Sequence, residues 1–177
     1  MSLPRPPLAA KLVIGLFMNQ QELVAPVTDR LIQCFGALDI VSPWFDFYFT
    51  DYYEPEMGTP LYRRMLAFAT LIQQNDLADI KQQTNTIEDE YTFRGKRSVN
   101  IDPGYLLRER FVLATGKNFA HRIYIGRDIY ADLTLIYRNR AFQTLEWTYP
   151  DYADPRMHDF LALVRKKYIN DLKRDNA

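Results

Sequence analysis

The middle of this chain holds a run of short apolar segments separated by gaps too short for a helical crossover. They are Ser98 to Ile101, Phe111 to Thr115, Ala120 to Ile125, Ile129 to Tyr137 and Ala141 to Leu145. Parallel strands need a connection of roughly a dozen residues or more, usually a helix. Neighbouring segments must therefore pair as an antiparallel meander. One tip is visible at Gly126-Arg127-Asp128. A three-residue loop there sets Tyr124 opposite Tyr130 and Arg122 opposite Asp132, whereas a two-residue slip would pair Tyr124 with Asp132. By the same reasoning Leu113 faces Ile123 and Thr115 faces His121 across the preceding connection.

Ahead of the meander the periodicity alternates between strand and helix. Lys11 to Met18 reads as a buried strand. Asn19 opens a helix through Cys34 with Leu23, Val27, Leu31 and Cys34 on one stripe, although Pro26 argues against a regular first half. From Asp39 to Thr50, Phe45, Phe47 and Phe49 alternate with Asp46 and Tyr48 as in a half-buried strand. After a loop, Asp51 to Pro60, a third strand covers Arg64 to Gln73. Asn75-Asp76 then starts a helix with Leu77, Ile80, Thr84 and Ile87 in register. With Ser98 to Ile101 as a fourth strand, the order is that of a split βαβ, ferredoxin-like unit. Asp154-Pro155, a capping residue followed by proline, opens a last amphipathic helix. The expected fold is α+β: a mostly antiparallel sheet of seven to eight strands, helices packed on one face, and a ferredoxin-like first half. Residues 1–10 form an extended, Pro-rich arm and 11–173 a single domain.

Composition narrows the class. The chain has 177 residues, 47% hydrophobic and 25% charged, enough apolar material for a core without staples. Cys34 is the one cysteine, which excludes an internal disulfide and a multi-cysteine metal site. Set among Leu31, Ile32 and Phe35, it reads as a small core hydrophobe. The longest apolar run, Leu12 to Met18, falls short of the roughly 20 residues a membrane span needs. No signal peptide is evident, and the expectation is a cytoplasmic protein. The 22 basic and 22 acidic residues balance, which argues against nucleic acid as the partner. The balance is uneven along the chain: residues 1–93 carry 6 Lys+Arg and 12 Asp+Glu, and 94–177 carry 16 and 10. The halves attract each other, or the second presents a basic face to an anion.

The polar residues that could carry chemistry lie between Arg97 and Asp132. Asp102 precedes Pro103-Gly104, a pair that reads as a turn holding the carboxylate at a strand end, as a base or hydroxyl acceptor. His121 sits where an apolar face meets a loop, a place for an acid/base group. Lys117 and Arg122 could hold an anion, with Tyr105 and Asp132 behind them. No metal site is expected, because the only other histidine is His158. Lys81, Asn85 and Glu88 line one flank of the second helix and matter only if that flank borders the Asp102 cluster. A phosphate-binding loop is absent: Gly95-Lys96-Arg97 and Gly116-Lys117-Asn118 both lack the leading glycine and the Ser or Thr. No cofactor follows from these residues. The best reading is a small-molecule binding protein or enzyme acting on an anionic or nucleotide-like ligand at Asp102 and His121. Two alternatives stand beside it. One is a non-catalytic interaction module using the aromatics of 47–53 and 147–152. The other is a single-stranded RNA binder stacking bases on Tyr124 and Tyr130.

Several strings form a specific set. They are Tyr52-Tyr53-Glu54-Pro55-Glu56-Met57-Gly58, Lys81 to Asn85 with Glu88, Asn100 to Tyr105, Leu113-Ala114-Thr115 with Lys117, His121-Arg122-Ile123-Tyr124, and Trp147-Thr148-Tyr149-Pro150-Asp151-Tyr152. Together they resemble the uncharacterised bacterial domain-of-unknown-function 4416 family over residues 10–168. The resemblance implies relatives and no established activity.

Overall fold

Strand β1 (Ala10–Met18) is buried along its whole length, because both of its faces are covered. The computed structural model describes residues 3–49 and 53–174. Residues 3–9 carry no regular structure and are exposed up to Ala9. After β1 come a single 3₁₀ turn and α1 (Val24–Phe35). Pro26 falls in the first turn of α1, where the backbone N–H groups have no intrahelical partner and proline costs nothing. Asn19 does not cap this helix; its Nδ2 donates to the Met57 carbonyl at 2.8 Å.

The strand read over Asp39 to Thr50 is two pieces, β2 (Leu38–Val41) and β3 (Phe45–Phe47). Pro43 separates them, and both pair with β4 (Leu61–Ile72). Thr50, Asp51 and Tyr52 lie outside the described residues, and the next turn is α2 (Glu54–Met57). Helix α3 (Leu77–Glu90) and a small hairpin, β5 (Thr92–Phe93) with β6 (Lys96–Arg97), lead into β7 (Val99–Leu106). The meander follows as β8 (Arg110–Thr115), β9 (Arg122–Gly126), β10 (Ile129–Arg138) and β11 (Ala141–Thr144). Helix α4 (Pro155–Arg174) closes the chain, its first turn capped by the Asp154 carboxylate, which accepts the Arg156 N–H at 2.8 Å.

The sheet runs β11-β10-β8-β7-β1-β4-β2, with β3 flanking β4 and β9 flanking β10, and every pairing is antiparallel. Its portion β7-β1-β4-β2 is the ferredoxin-like order, so the first half folds as its periodicity predicts. In the meander one expectation fails. Strand β8 pairs with β10, setting Thr115 opposite Tyr130, and β9 lies on the far side of β10. The connection 116–121 is long enough to carry the chain past the place β10 takes, so Thr115 and His121 are not partners. The β9–β10 register is the three-residue-loop one, with Tyr124 opposite Tyr130 and Arg122 opposite Asp132. Its tip, Arg127-Asp128, holds positive φ at both residues, and Gly126 at φ 97° absorbs the shift.

Helices cover both faces, where one was expected. Leu12, Ile14, Leu16, Leu66 and Phe68 meet Val27 and Leu31 of α1 and Ile80 and Ile87 of α3. Val13, Met65, Ala67 and Phe111 meet Phe160, Leu161 and Val164 of α4. Strands β1 and β4 are apolar in both phases, and a second helix is needed to bury the second phase. Burying one Leu or Phe stabilises by about 1.5–3 kcal/mol, so this layer is not optional. Lys11, fully buried, ties the layers by bonding Asp39 at 2.5 Å and Asp171 of α4 at 2.8 Å. Cys34 is exposed, not in the core: it shares the Val27–Leu31 stripe by spacing but stands in the last turn of α1.

Candidate functional site

Pro103 and Gly104 do not form a turn. β7 passes straight through them, pairing with β1 from Lys11↔Leu106 to Met18↔Val99. The β8 ladder begins only at Gly104↔Leu113. Before that point the β8 side of β7 is an open edge, where a proline without an N–H is tolerated. Ile101, two residues earlier, points its backbone groups to that same side. Helix α3 satisfies both: Lys81 Nζ donates to the Ile101 carbonyl at 2.8 Å, and Glu88 Oε1 accepts its N–H at 2.7 Å. The flank of α3 thus does border the Asp102 segment. Gly104 has no room for a side chain, since a Cβ would stand 2.5 Å from the Val112 carbonyl oxygen.

Asp102 is half-exposed although β7 is an inner strand and its neighbours Ile101 and Pro103 are buried. Its carboxylate makes no hydrogen bond or ion pair among the described residues. It lies on the face that also carries Gly15, Asn100 and Arg63. Its charge is felt by three phenols. Burial first, and then the Asp102 charge, raise the Tyr53 hydroxyl well above its ordinary value. Tyr152 is raised by burial, partly offset by Arg63, with Asp102 adding to the rise. Tyr149 is raised by burial against the pull of Arg122, with Asp132 and Asp102 adding to the rise. All three stay protonated at neutral pH and present hydroxyls.

Arg63 is 2% exposed. It pairs with Asp151 and lies 4.4 Å over the Tyr152 ring. Beside it Arg97 bridges Glu56 at 2.6 Å, Glu88 at 2.7 Å and the Asn100 side-chain oxygen at 3.0 Å. The Glu56 carboxylate, with Glu88, raises the guanidinium further above its ordinary value, and Arg97 in turn lowers Glu56. Burial raises Glu88 in spite of Lys81, the Ile101 N–H and Arg97.

A second group forms around Asp132, 1% exposed on β10. Its Oδ2 accepts Arg122 Nε at 2.9 Å and contacts His121 Nε2 at 3.2 Å, and its Oδ1 receives Thr134 Oγ1 at 3.3 Å. Arg122 also donates to the Lys117 carbonyl at 2.8 Å and to the Tyr149 hydroxyl. The His121 ring stacks on Trp147 at 4.8 Å. The contact turns the Nε2 side of the His121 ring toward Asp132. Tyr149 joins the two groups, its hydroxyl bonded to Arg122 and its phenol feeling Asp102, Asp132 and Lys117.

Of the residues singled out in the sequence, His121, Arg122 and Asp132 come together, with the Lys117 backbone beside them. Asp102 belongs to the adjoining group. Tyr105 does not join: paired with Leu12, it points to the opposite face of the sheet and is buried there. Arg122 spends Nε, Nη1 and Nη2 on protein partners, so it positions Tyr149 and neutralises Asp132 rather than gripping a ligand. Arg63 was missed, and Tyr149 and Tyr152 were read only as part of the aromatic contact surface of 147–152. Arg63 carried a signal, being a charge in the apolar phase of Leu61, Met65 and Ala67. The tyrosines carried none, since only the fold brings residues 149–152 over β1 and β7.

Among the described residues no three His, Cys, Asp or Glu side chains converge as metal ligands would, and no helix is long and apolar enough to cross a membrane. Neither curated proteins nor solved structures gave a match to the chain. The strings that run from the first strand to the last helix match one family description over residues 8–168, and the chain belongs to that family, the domain of unknown function 4416 (DUF4416) family.

Proposed function

We propose that this protein binds a small, polar, anion-bearing molecule at Asp102. The observation that carries this reading is the Asp102 carboxylate itself: half-exposed on an inner strand and without a hydrogen-bond or ion-pair partner among the described residues. A carboxylate open to solvent between buried neighbours, with its lone pairs unspent on the protein, is available to a ligand. Asp102 accepts a hydroxyl or amine of the ligand, and the Tyr149 hydroxyl, held by Arg122, donates beside it. Lys117 and Arg122 supply the positive field at the rim. His121, oriented by Asp132, stands one residue from Arg122 as the group able to take a proton, which makes an acid/base reaction the enzymatic form of this reading.

The aromatic strip of residues 47–53 gives less to an interaction module, because Phe47 packs with Phe17, Met57 and Leu61 in a buried cluster. A thermal-shift screen with nucleotides and sugar phosphates tests the proposal, since a ligand that binds only the native state raises its melting temperature. A rise in wild type that Asp102→Asn abolishes and His121→Ala leaves in place is the result expected of a binding site. No rise with any compound, or an equal rise in Asp102→Asn, overturns it.

A further inference from the structure

Strand β9 is an open edge of the sheet: among the described residues it pairs with β10 and with no other strand. The direction of its backbone groups follows from one bond. The Arg122 N–H donates to the Phe119 carbonyl at 3.0 Å, inside the turn that enters the strand, and so does not face β10. Backbone direction repeats every second residue, so the N–H and C=O of Tyr124 also point outward. Neither group has a partner among the described residues. The register shift against β10 falls beyond Tyr124, which leaves 122–124 as regular strand.

An edge of this kind recruits another strand unless lysine, proline or an inward charge guards it. β9 has no such guard. Arg122 is its one charged residue, and its guanidinium is spent on Asp132, the Lys117 carbonyl and the Tyr149 hydroxyl. Apolar side chains flank the edge instead. Ile123 is 71% exposed on the face it shares with Ala131, and Tyr124 is 57% exposed on the opposite face. Phe119, in the connection leading into the strand, is 65% exposed. Exposed apolar groups gathered on both sides of an unpaired edge mark an interaction surface.

We propose that β9 pairs with β9 of a second copy of this chain, edge to edge and antiparallel, about a two-fold axis at Tyr124. The self-complementarity of the strand selects this occupant. With Tyr124 opposite Tyr124 of the partner subunit, each N–H meets the other C=O, and the open groups of both copies are satisfied at once. Ile123 then stands opposite Ile125 of the partner subunit, apolar against apolar. Arg122 stands opposite Gly126 of the partner subunit, so no like charges face each other. Asp128, exposed at the hairpin tip, is carried to the partner's connection 116–121, which holds Lys117 and no acid. The same contact recurs on the other side of the axis with the roles exchanged.

Sedimentation velocity over a concentration series tests this on wild type, Ile123→Lys and Tyr124→Pro, with hydrogen exchange of the Tyr124 amide read alongside. Wild type is expected to show a monomer–dimer equilibrium in roughly the micromolar range of small interfaces, and its Tyr124 amide to lose protection on dilution. Ile123→Lys sets two ammonium groups beside the axis and weakens the dimer about tenfold or more, with the melt of the dilute protein unchanged. Tyr124→Pro removes an N–H that β10 does not use, so it abolishes the dimer and leaves the far-ultraviolet circular dichroism of the monomer intact. Wild type that stays monomeric at every concentration overturns the proposal. So does a dimer that both variants leave at full strength, which places the interface elsewhere. A Tyr124 amide equally protected at all concentrations means the edge is closed within one chain and overturns it as well.

Discussion

Asp132 shows how one buried carboxylate organises a neighbourhood. It accepts from Arg122 and contacts His121 at a single oxygen while Thr134 reaches the other. Removing one member of a buried ion pair leaves an uncompensated charge and costs about 3–5 kcal/mol. Asp132→Ala is therefore expected to lose roughly that much in urea unfolding and to release Tyr149 from its place, whereas Asp132→Asn, which keeps an acceptor, loses less. A loss below about 1 kcal/mol in Asp132→Ala would show that the group is solvated and not a structural knot. Gly104 is the other residue on which much depends. With Val112 oxygen 2.5 Å from any added Cβ, Gly104→Ala must push β8 from β7. The expected loss is roughly 3 kcal/mol, the upper range for overpacking, read as a lowered urea midpoint.

Helix α4 joins the sheet through apolar residues and one buried charge network. Burial alone would raise the Asp171 carboxyl, but the ammonium groups of Lys11 and Lys167 outweigh it and hold it below its ordinary value of 3.8. A carboxyl depressed in the folded state adds stability that is present above the unfolded value and disappears as pH falls through the folded one. Unfolding free energy measured across the acid range should thus drop for wild type below about pH 4, and Asp171→Asn should be less stable at neutral pH with a flatter acid limb. Parallel acid limbs for the two proteins would disconnect Asp171 from this behaviour. Strand β7 illustrates the opposite kind of element. Its Pro103-Gly104 pair reads as a turn from residue chemistry alone. It extends instead because Lys81 and Glu88 of α3 take over the backbone groups that a missing β8 partner leaves open.

The two apolar layers share β1 and β4, each buried in both phases, and this bears on how the molecule unfolds. Neither layer can open without exposing the strands that form the other. The chain has two tryptophans. Trp44 packs against the α1–α3 layer, and Trp147 stacks on His121 at the candidate site. Single-tryptophan variants are expected to report one coincident urea transition matching the far-ultraviolet circular dichroism. Two separated midpoints would mean that the ferredoxin-like half and the meander are independent units. The candidate site draws on both halves, Arg63 and Gly15 from the first and Asp102, Tyr149 and Tyr152 from the second, so one transition also means that site and fold are lost together.

Short gaps and period-two alternation were enough, from the sequence, for the antiparallel meander and the ferredoxin-like order, because these depend on local spacing. The Arg122–Asp132 pairing was legible for the same reason: a hairpin tip sets its own register. Tertiary structure alone decided that α4 covers a second face, that β10 lies between β8 and β9, and that Tyr105 turns away from Asp102. It also decided that Arg63 and Tyr152 gather over Gly15 and that Tyr149 meets Arg122. Those outcomes depend on which distant surfaces meet, and a periodicity states that a face is apolar without stating what will cover it.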